Sequence, residues 1–455
     1  MKNKFLLAIL IITFSSCKKF VEVDAPTTQA ELSRVFESDQ TAIAAATGLY
    51  AQMIASGLTF ANGGMTIYPG LSADELVNTL SSTGTDAYKN NQLLSDDATV
   101  LSTFWSNPYK NIYHANAVIE GLQNSTAIST KLRDRLLAEM LYIRALHYLY
   151  MINLFGSVPY ITSTDYDLNS NLSRTEVPTI YPQLIADLLQ AKSYLNNNTT
   201  ETNRVNKETV TGLLARVYLY NEDWQNAITQ ATEVIASGKY SLEPLANVFL
   251  ATSKESLLSL ARPTANVSEA TTLIPSSTTV RPTYAIHSNL LVAFENGDNR
   301  KTSWLKSNTV SSVVYYYANK YKVRSSTTVT ENYIVQRLAE LYLIRAEAKT
   351  QLGDLSGAIT DVDVIRQRAG LSLIKNTNPN ISKEALLNAI MKERQIELFC
   401  EWGHRWFDLK RTQKVNNLFS ILKAATWKPY AALYPIPLAE IKKNPNLTQN
   451  EGYTN

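Results

Sequence analysis

The chain has 455 residues, of which 45% are hydrophobic and 18% charged, a composition typical of a globular protein with a large core. Its 43 Lys and Arg residues nearly balance its 40 Asp and Glu residues, which excludes the strongly basic surface of a nucleic-acid-binding protein. The two cysteines are Cys17 and Cys400, so we expect stability to come from packing rather than from disulfides.

The first residues have the parts of a lipoprotein signal. Two lysines precede an apolar run at residues 5–14, and two serines lead to Cys17. This pattern is typical of a bacterial lipoprotein, and the run is too short to cross a bilayer, which takes about 20 residues. We therefore expect residues 1–16 to be a signal peptide that is removed, and Cys17 to carry acyl chains such as palmitate. An ordinary secreted protein with an incidental cysteine is the alternative.

Helical periodicity dominates the rest of the chain. The longest amphipathic segment, 132–155, stops before Gly156 and Pro159, which are both helix-ending residues. The sequence therefore predicts a mostly α protein. Further helices are predicted over about 40–56, 110–123, 178–195, 207–221, 224–237, 332–351, 355–369, 383–401 and 404–420.

Two predicted helix pairs repeat each other. Residues 213–228 and 343–359 align so that Ala215 matches Ala346 and Asp223 matches Asp354, and an Ala-Ile pair follows in each. Small residues let antiparallel helices approach closely, and the tight turn bears the Asp. This sequence pattern is typical of tetratricopeptide repeats. Two copies are too few for a solenoid, so we expect other helix pairs to complete the stack.

Two stretches interrupt the helical pattern. Residues 57–95 are rich in Gly, Ser, Thr and Asn, and residues 241–330 carry many Ser and Thr, several prolines, and the strand-like or irregular segment VVYYYANKYKV. Long loops in a compact domain are usually functional. We therefore expect a single domain over 17–455, divided into an N-terminal helical part (17–240, with the loop 57–95), a variable region (241–330) and a C-terminal helical part (331–455).

The densest charged motif is KERQIELFCEWGHRWFDLKR, residues 392–411. Glu393, Glu397 and Glu401 fall at i, i+4 and i+8, which predicts three carboxylates on one helix face. A carboxylate pair can serve glycoside hydrolysis. Because arginines are interleaved with these acids, we favour ion pairs that lock neighbouring helices together and drive the carboxyl pKa values down.

Other catalytic and metal-binding patterns are missing from the sequence. It contains no G-x-S-x-G, no phosphate loop, no G-x-G-x-x-G and no H-E-x-x-H. We expect no cofactor and no catalytic residue. Four scattered histidines have no ligand spacing and are interpreted as packed or surface residues: His114, His147, His287 and His404.

The order of motifs resembles the SusD/RagB family over nearly the whole chain. AELYLIRAEAKTQLGDLSGAITDVDVIRQRAGL (339–371), the charged motif at 392–411, YPIP (434–437) and NPNLTQNEGY (444–453) carry the C-terminal resemblance. CKKFVEVDAP, FWSNPYKNIYHANAVIEGL and AEMLYIRALHYLYMINLFGSVPYI carry the N-terminal one. The chain is thereby identified as a member of this family.

The resemblance implies a fold, a location and a partner. The fold would be a tetratricopeptide-like frame of about eight helices in pairs, with a loop-rich, partly β variable region packed on it. Family members are outer-membrane lipoproteins that bind nutrients, often oligosaccharides, without catalysis. They work with a SusC-like TonB-dependent transporter. We expect the same of this chain, anchored in the outer membrane and facing the exterior.

Ligand contacts are expected in the two loop-rich stretches, where the family varies. A neutral carbohydrate is held by aromatic stacking and hydrogen bonds, so tyrosine and tryptophan rings in polar surroundings are the candidates. Trp304 lies in the polar run RKTSWLKSN, which favours exposure. The full set of predicted ligand residues is Trp304, Tyr315, Tyr317, Tyr68, Asp74, Asn78 and Tyr88.

Three other interpretations stay open on the sequence. A tetratricopeptide scaffold would bind a protein partner on its helical surface and leave the loop aromatics without a role. A family member of the same fold would bind a peptide in place of a sugar. A lipid-anchored glycoside hydrolase would use Glu393 or Glu397 for turnover.

Overall fold

The computed structural model describes residues 32–55, 57–80, 82–195, 201–262 and 264–454. Over these ranges the protein is mostly helical, as predicted. The predicted signal peptide and Cys17 lie outside the described residues. The described part contains no helix with the length and apolarity that a membrane crossing requires.

The first half of the chain is built almost entirely of helices. A π-helical turn (Val100–Ser106) leads directly into α5. The elements are α1 (Leu32–Val35), α2 (Asp39–Met53), α3 (Gly64–Ser72), β1 (Leu76–Asn78), α4 (Thr83–Asn90), α5 (Asn107–Asn124), α6 (Thr130–Phe155), α7 (Tyr166–Asn169), α8 (Val177–Tyr194), α9 (Lys207–Tyr220) and α10 (Trp224–Ala236).

Short strands and helices alternate in the variable region before the helical frame resumes. The elements are β2 (Ser256–Leu260), α11 (Ser268–Leu273), β3 (Tyr284–Ile286), α12 (Ser288–Ala293), α13 (Asn299–Trp304), β4 (Leu305–Val310), β5 (Val313–Ala318), β6 (Tyr333–Arg337), α14 (Leu338–Gln351), α15 (Leu355–Arg368), α16 (Ile374–Thr377), α17 (Lys383–Glu397), α18 (His404–Arg411), α19 (Val415–Leu422) and α20 (Leu438–Lys443). A 3₁₀ turn (Pro429–Ala432) precedes α20.

Eight of the described helices form one continuous stack. Each packs on the next, and the expectation that further pairs complete the two recognisable repeats is confirmed. The order is α5, α6, α8, α9, α10, α14, α15 and α17. Because α10 packs directly against α14, the two repeat pairs are neighbours in space although residues 241–330 separate them in sequence. The variable region therefore lies outside the stack of helices.

The two repeats have the same local structure. Ala215 and Ala346 are fully buried where the paired helices meet. Asp223 and Asp354 each precede the second helix, and each side chain accepts a hydrogen bond from the backbone N–H three residues later, at 3.2 and 2.9 Å. These bonds satisfy backbone donors that a helix start otherwise leaves unpaired.

The long helix α6 is the centre of the core. Every residue from 136 to 152 is buried, because α5 and α8 cover it on either side. Its two central charges are paired: Glu139 lies 2.6 Å from Arg204, and Arg144 forms a bidentate pair with Asp187 at 2.7 and 2.8 Å. A helix that is buried all round needs its charges neutralised in this way.

Three predictions of secondary structure were wrong. The helix predicted over 332–351 begins only at Leu338, because the β-rich residues before it form β6, which pairs with β2. The helix predicted over 404–420 is two helices, broken at Gln413, whose φ of 56° no helix interior accepts. The loop predicted over 57–95 contains α3 and α4.

Candidate ligand-binding surface

The two loop-rich stretches meet on one side of the helical frame. β1 pairs antiparallel with β3, which sets Asn78 opposite Tyr284. Just beyond β1, the Thr79 backbone N–H donates to the Thr283 carbonyl at 2.9 Å. The strand β3 packs in turn on β5, which forms a hairpin with β4. We call the partly exposed region of Tyr68, Asn78, Arg281 and Tyr315, which lie on or beside these elements, the loop junction; Tyr284 itself is buried.

Partly exposed groups of the loop junction combine rings with polar atoms. Tyr68 is half-buried and lies against the Tyr88 ring, with centroids 4.7 Å apart. The half-buried Asn78 side chain accepts from the Leu80 N–H at 3.0 Å and donates to the Thr85 hydroxyl at 2.7 Å. Such bonds fix the amide, which then presents a defined orientation to solvent.

Tyr315 supplies a second ring to the loop junction. Its half-buried side chain lies in β5, and the Arg281 guanidinium lies 5.9 Å from its ring centroid. Val280, the residue before Arg281, is also exposed, at 43%. Exposed apolar side chains among polar groups are a feature of binding surfaces.

Four predicted ligand residues are buried, which their surroundings in the sequence did not indicate. The expectation that Trp304 is exposed is wrong: it is 0% exposed, and its indole N–H donates to the Leu245 carbonyl at 2.9 Å. Lys301, Thr302, Lys306 and Ser307 are exposed, whereas the indole between them is buried. The Lys320 ammonium lies 4.6 Å from its ring centroid, a cation–π contact.

The other three have structural partners. Tyr88 is fully buried, and its hydroxyl donates to Asp97 at 3.3 Å. Asp74 accepts a bidentate pair from Arg405 at 2.7 and 2.9 Å; burial alone would raise its pKa, but this pairing outweighs burial and lowers it. Tyr317 is only 6% exposed. Of the predicted set, Tyr68, Asn78 and Tyr315 therefore retain surface for a ligand.

The carboxylates of the charged motif are buried in ion pairs, and the structural interpretation of this motif is confirmed. Glu397 accepts from Arg337 at 2.6 Å and Arg300 at 3.1 Å, and Arg368 also contacts it. Glu401 lies 2.8 Å from Arg337 and 2.5 Å from the Lys320 ammonium. These arginines come from the variable region and the C-terminal repeat, so the cluster ties both to the helix α17.

Two details of that motif differ from the prediction. Because α17 ends at Glu397, Glu401 does not share its helix face. Burial would raise the pKa of Glu397, but the charges of Arg368, Arg337 and Arg300 outweigh it and hold that pKa well below its usual range. For Glu393 burial prevails over the Arg300 charge, and its pKa is raised.

The sequence did not identify the most exposed aromatic side chains. In the part of the chain that the structure describes, these are Tyr166, at 80%, Tyr113, at 55%, and Tyr430, at 41%. All three lie outside the two stretches that were predicted to bind. The spacing of Trp105, Tyr109 and Tyr113 could have indicated a row of aromatic rings, since residues four apart share one helix face.

Within the described ranges, no three His, Cys, Asp or Glu side chains come together as a metal site. His147 and His404 are buried, and burial lowers the pKa of each to about 4. Both are therefore neutral packed residues at physiological pH.

The stacked helix pairs and the loop junction together define a helical-repeat protein that carries a loop-rich surface on its frame. Residues 32–219 match the family described as "Starch-binding associating with outer membrane", and residues 289–453 match the SusD family. The chain belongs to the SusD/RagB family.

Individual relatives agree over almost the full chain. A SusD-like protein of Formosa agariphila is 28% identical, with 99% of this chain and 100% of the relative aligned. A SusD superfamily protein from Bacteroides vulgatus has the same fold at a TM-score of 0.80, 18% identity, and coverage of 92% of this chain and 100% of that one. A laminarin-binding SusD-like protein matches at a TM-score of 0.76 and 23% identity, over 91% of this chain and 100% of that one.

Proposed function

We propose that this protein binds a neutral oligosaccharide at the loop junction and delivers it to a SusC-like TonB-dependent transporter in the outer membrane. The observation that carries the proposal is that two partly exposed rings, Tyr68 and Tyr315, and the amide of Asn78 lie on stretches that the β1–β3 pairing and the β3–β5 contact bring together. Rings stack on the apolar faces of a sugar while amides bond its hydroxyls. The family description and the laminarin-binding neighbour support the ligand class.

The binding experiment uses variants of one strand. Tyr315→Ala is compared with Tyr316→Ala, since alternate residues of β5 point to opposite faces and Tyr316 packs against the core. Gels containing starch, laminarin, galactomannan or xylan retard a protein that binds them. We expect Tyr315→Ala and Asn78→Ala to be retarded less than the wild type, and Tyr316→Ala to be retarded normally. Equal retardation of all four proteins would place the ligand elsewhere.

We propose that the chain acts by binding, without catalysis. The carboxylates that a hydrolase interpretation would use, Glu393 and Glu397, are buried and held by arginines. Incubation of the protein with each retained polysaccharide should release no reducing ends. Turnover that disappears in the Glu393→Gln variant would revive the hydrolase alternative.

The anchor and the partner belong to the same proposal. Cys17 would carry the acyl chains, and a Cys17→Ser variant should lose both incorporation of a labelled fatty acid and membrane association. Mild detergent extraction of the wild-type protein should co-purify a large TonB-dependent barrel in stoichiometric amount. A protein partner of another kind in its place would favour the scaffold alternative.

A further inference from the structure

A cleft of about 470 Å³ lies at the start of α5. Its walls come from α5, from the segment that leads into α7, and from α20. None of these elements contributes to the loop junction. The volume lies within the range of about 300–1,000 Å³ that is usual for small-molecule sites.

An aromatic ladder forms one wall of the cleft. Trp105, Tyr109 and Tyr113 stand one helical turn apart along the π-helical turn and α5, and all three line the cleft. The Trp105 and Tyr109 rings lie 5.2 Å apart, and the Tyr109 hydroxyl donates to the Pro159 carbonyl at 2.8 Å. The inner part of the ladder is therefore rigid. Tyr113, at its outer end, is 55% exposed.

Tyr166 supplies a second exposed ring to the same cleft. It is the first residue of α7 and is 80% exposed, although the backbone beneath it is fixed by Asp165, whose carboxylate accepts from the Leu168 N–H at 3.1 Å. Within the described ranges, the hydroxyls of Tyr113 and Tyr166 have no hydrogen-bond partner. Two such rings on one cleft expose apolar faces that water solvates poorly.

Polar but neutral groups complete the lining. Asn169 and Asn444 contribute amides, and the only charged pair in the lining, Glu440 and Lys443, neutralises itself at 2.8 Å. An ionic ligand would meet no uncompensated charge there. Aromatic rings suit the apolar faces of a ligand, and amides suit its hydroxyls, while a self-neutralised ion pair adds no net charge. A neutral carbohydrate has these properties.

We propose that this cleft is a second carbohydrate site, which takes one or two ring units of a neutral glycan between Tyr113 and Tyr166. The proposal rests on the proposed function for its ligand class and adds a site. A polysaccharide that occupies both the cleft and the loop junction gains avidity, because the second contact becomes intramolecular.

The test removes each site separately. Retardation in gels containing the four polysaccharides is measured for the wild type, Tyr166→Ala, Tyr315→Ala and the double variant, with Tyr430→Ala as the exposed-tyrosine control. Loss of one stacking ring is expected to weaken binding by about tenfold. We expect Tyr315→Ala to keep residual binding, the double variant to lose it, and Tyr430→Ala to match the wild type. Tyr113→Ala should behave as Tyr166→Ala.

Each other outcome decides between the two sites. If Tyr315→Ala abolishes all binding and Tyr166→Ala changes nothing, the cleft proposal is overturned and the loop junction stands. If Tyr166→Ala abolishes binding and Tyr315→Ala changes nothing, the cleft stands and the loop junction falls. A wild type that none of the four gels retards contradicts both. Circular dichroism of every variant shows that a loss of binding is not a loss of fold.

Discussion

Asp223 and Asp354 occupy the same place in two different helix pairs and adopt the same backbone conformation, with φ and ψ of −84° and 76° in one and −80° and 73° in the other. The residue before each has a positive φ, which is a Glu in the first pair (58°) and a Gly in the second (90°). The turn between paired helices is thus one structural unit used twice, and the Asp side chain closes it.

Removing either cap should destabilise the protein by a similar amount. Asp223→Ala and Asp354→Ala each leave a backbone N–H of the following helix without its acceptor, which costs about 1 kcal/mol of unfolding free energy. Urea denaturation measures the change. Asparagine also caps helices well, so Asp223→Asn should stay near the wild-type value. An alanine variant as stable as the wild type would mean that the turn holds without its cap.

A much larger loss is expected at Arg337. It pairs with Glu255, Glu397 and Glu401 at 2.6 to 2.9 Å, and all four side chains are buried. Arg337→Met leaves uncompensated charges in the core, which costs about 3–5 kcal/mol. The control is Lys207→Ala, because the half-buried Lys207 lies 3.9 Å from its acid partner Glu233 near the surface, and such pairs contribute about 0–1 kcal/mol. Similar losses in the two variants would contradict a structural role for the cluster.

Trp304 and Tyr315 should separate stability from binding. Trp304→Ala opens a cavity in the core and is expected to cost about 3–5 kcal/mol, whereas Tyr315→Ala, at a half-buried position, should stay within about 1 kcal/mol. Thermal or urea denaturation gives the stabilities, and gel retardation gives the binding. A stable Trp304→Ala variant with lost glycan binding would restore the original expectation for that residue.

Glu75 and Glu269 should each make the protein less stable as the pH rises from about 4.5 to 8, whereas the buried His147 and His404 act in the opposite direction between about pH 4 and 6.5. Burial, reinforced by the charge of Asp74, raises the pKa of Glu75 to about 8, and burial likewise raises that of Glu269 to about 8. Between these pH values the folded protein holds protons that the unfolded chain has released, so each group lowers the unfolding free energy by about 1.4 kcal/mol per pH unit.

Urea titrations at pH 5, 7 and 9 test that sign. Glu75→Gln keeps the size of the side chain and cannot ionise, so its stability should fall less steeply with pH than that of the wild type. The matched control is Glu37→Gln, which makes the same substitution at an exposed position. Parallel pH profiles for the wild type and Glu75→Gln would show that Glu75 is not protonated in the folded protein.

The helical frame was predictable because its signals are local. The spacing of apolar residues, the small residues at Ala215 and Ala346, and the capping Asp residues each act within a few positions of the chain. The break at Gln413 was not predictable, because nothing in its immediate sequence demands a positive φ. The strand β6 was missed because its contacts are not local. Its last residue, Arg337, bonds to carboxylates that lie 60 and 64 residues later in the chain.

The ligand surface was only partly predictable. Placing the binding region in the two loop-rich stretches stays a prediction, and Tyr68, Asn78 and Tyr315 do retain surface there. Exposure of a single ring could not be derived, because Trp304 has polar neighbours in sequence yet finds a carbonyl acceptor in the core. Its burial depends on Leu245, which lies 59 residues earlier in the chain.

The last described residues form hydrogen bonds with the N-terminal half of the chain. The Asn450 amide donates to the carbonyls of Phe155 and Tyr434, at 2.8 and 2.7 Å, and the Ser95 hydroxyl donates to the Thr454 carbonyl at 2.8 Å. The end of α6 and the residue Ser95 are therefore bonded to residues that lie 295 and 359 positions later in the chain. Contacts of such sequence separation form slowly. The segment 450–454 is therefore expected to be among the last parts of the fold to form.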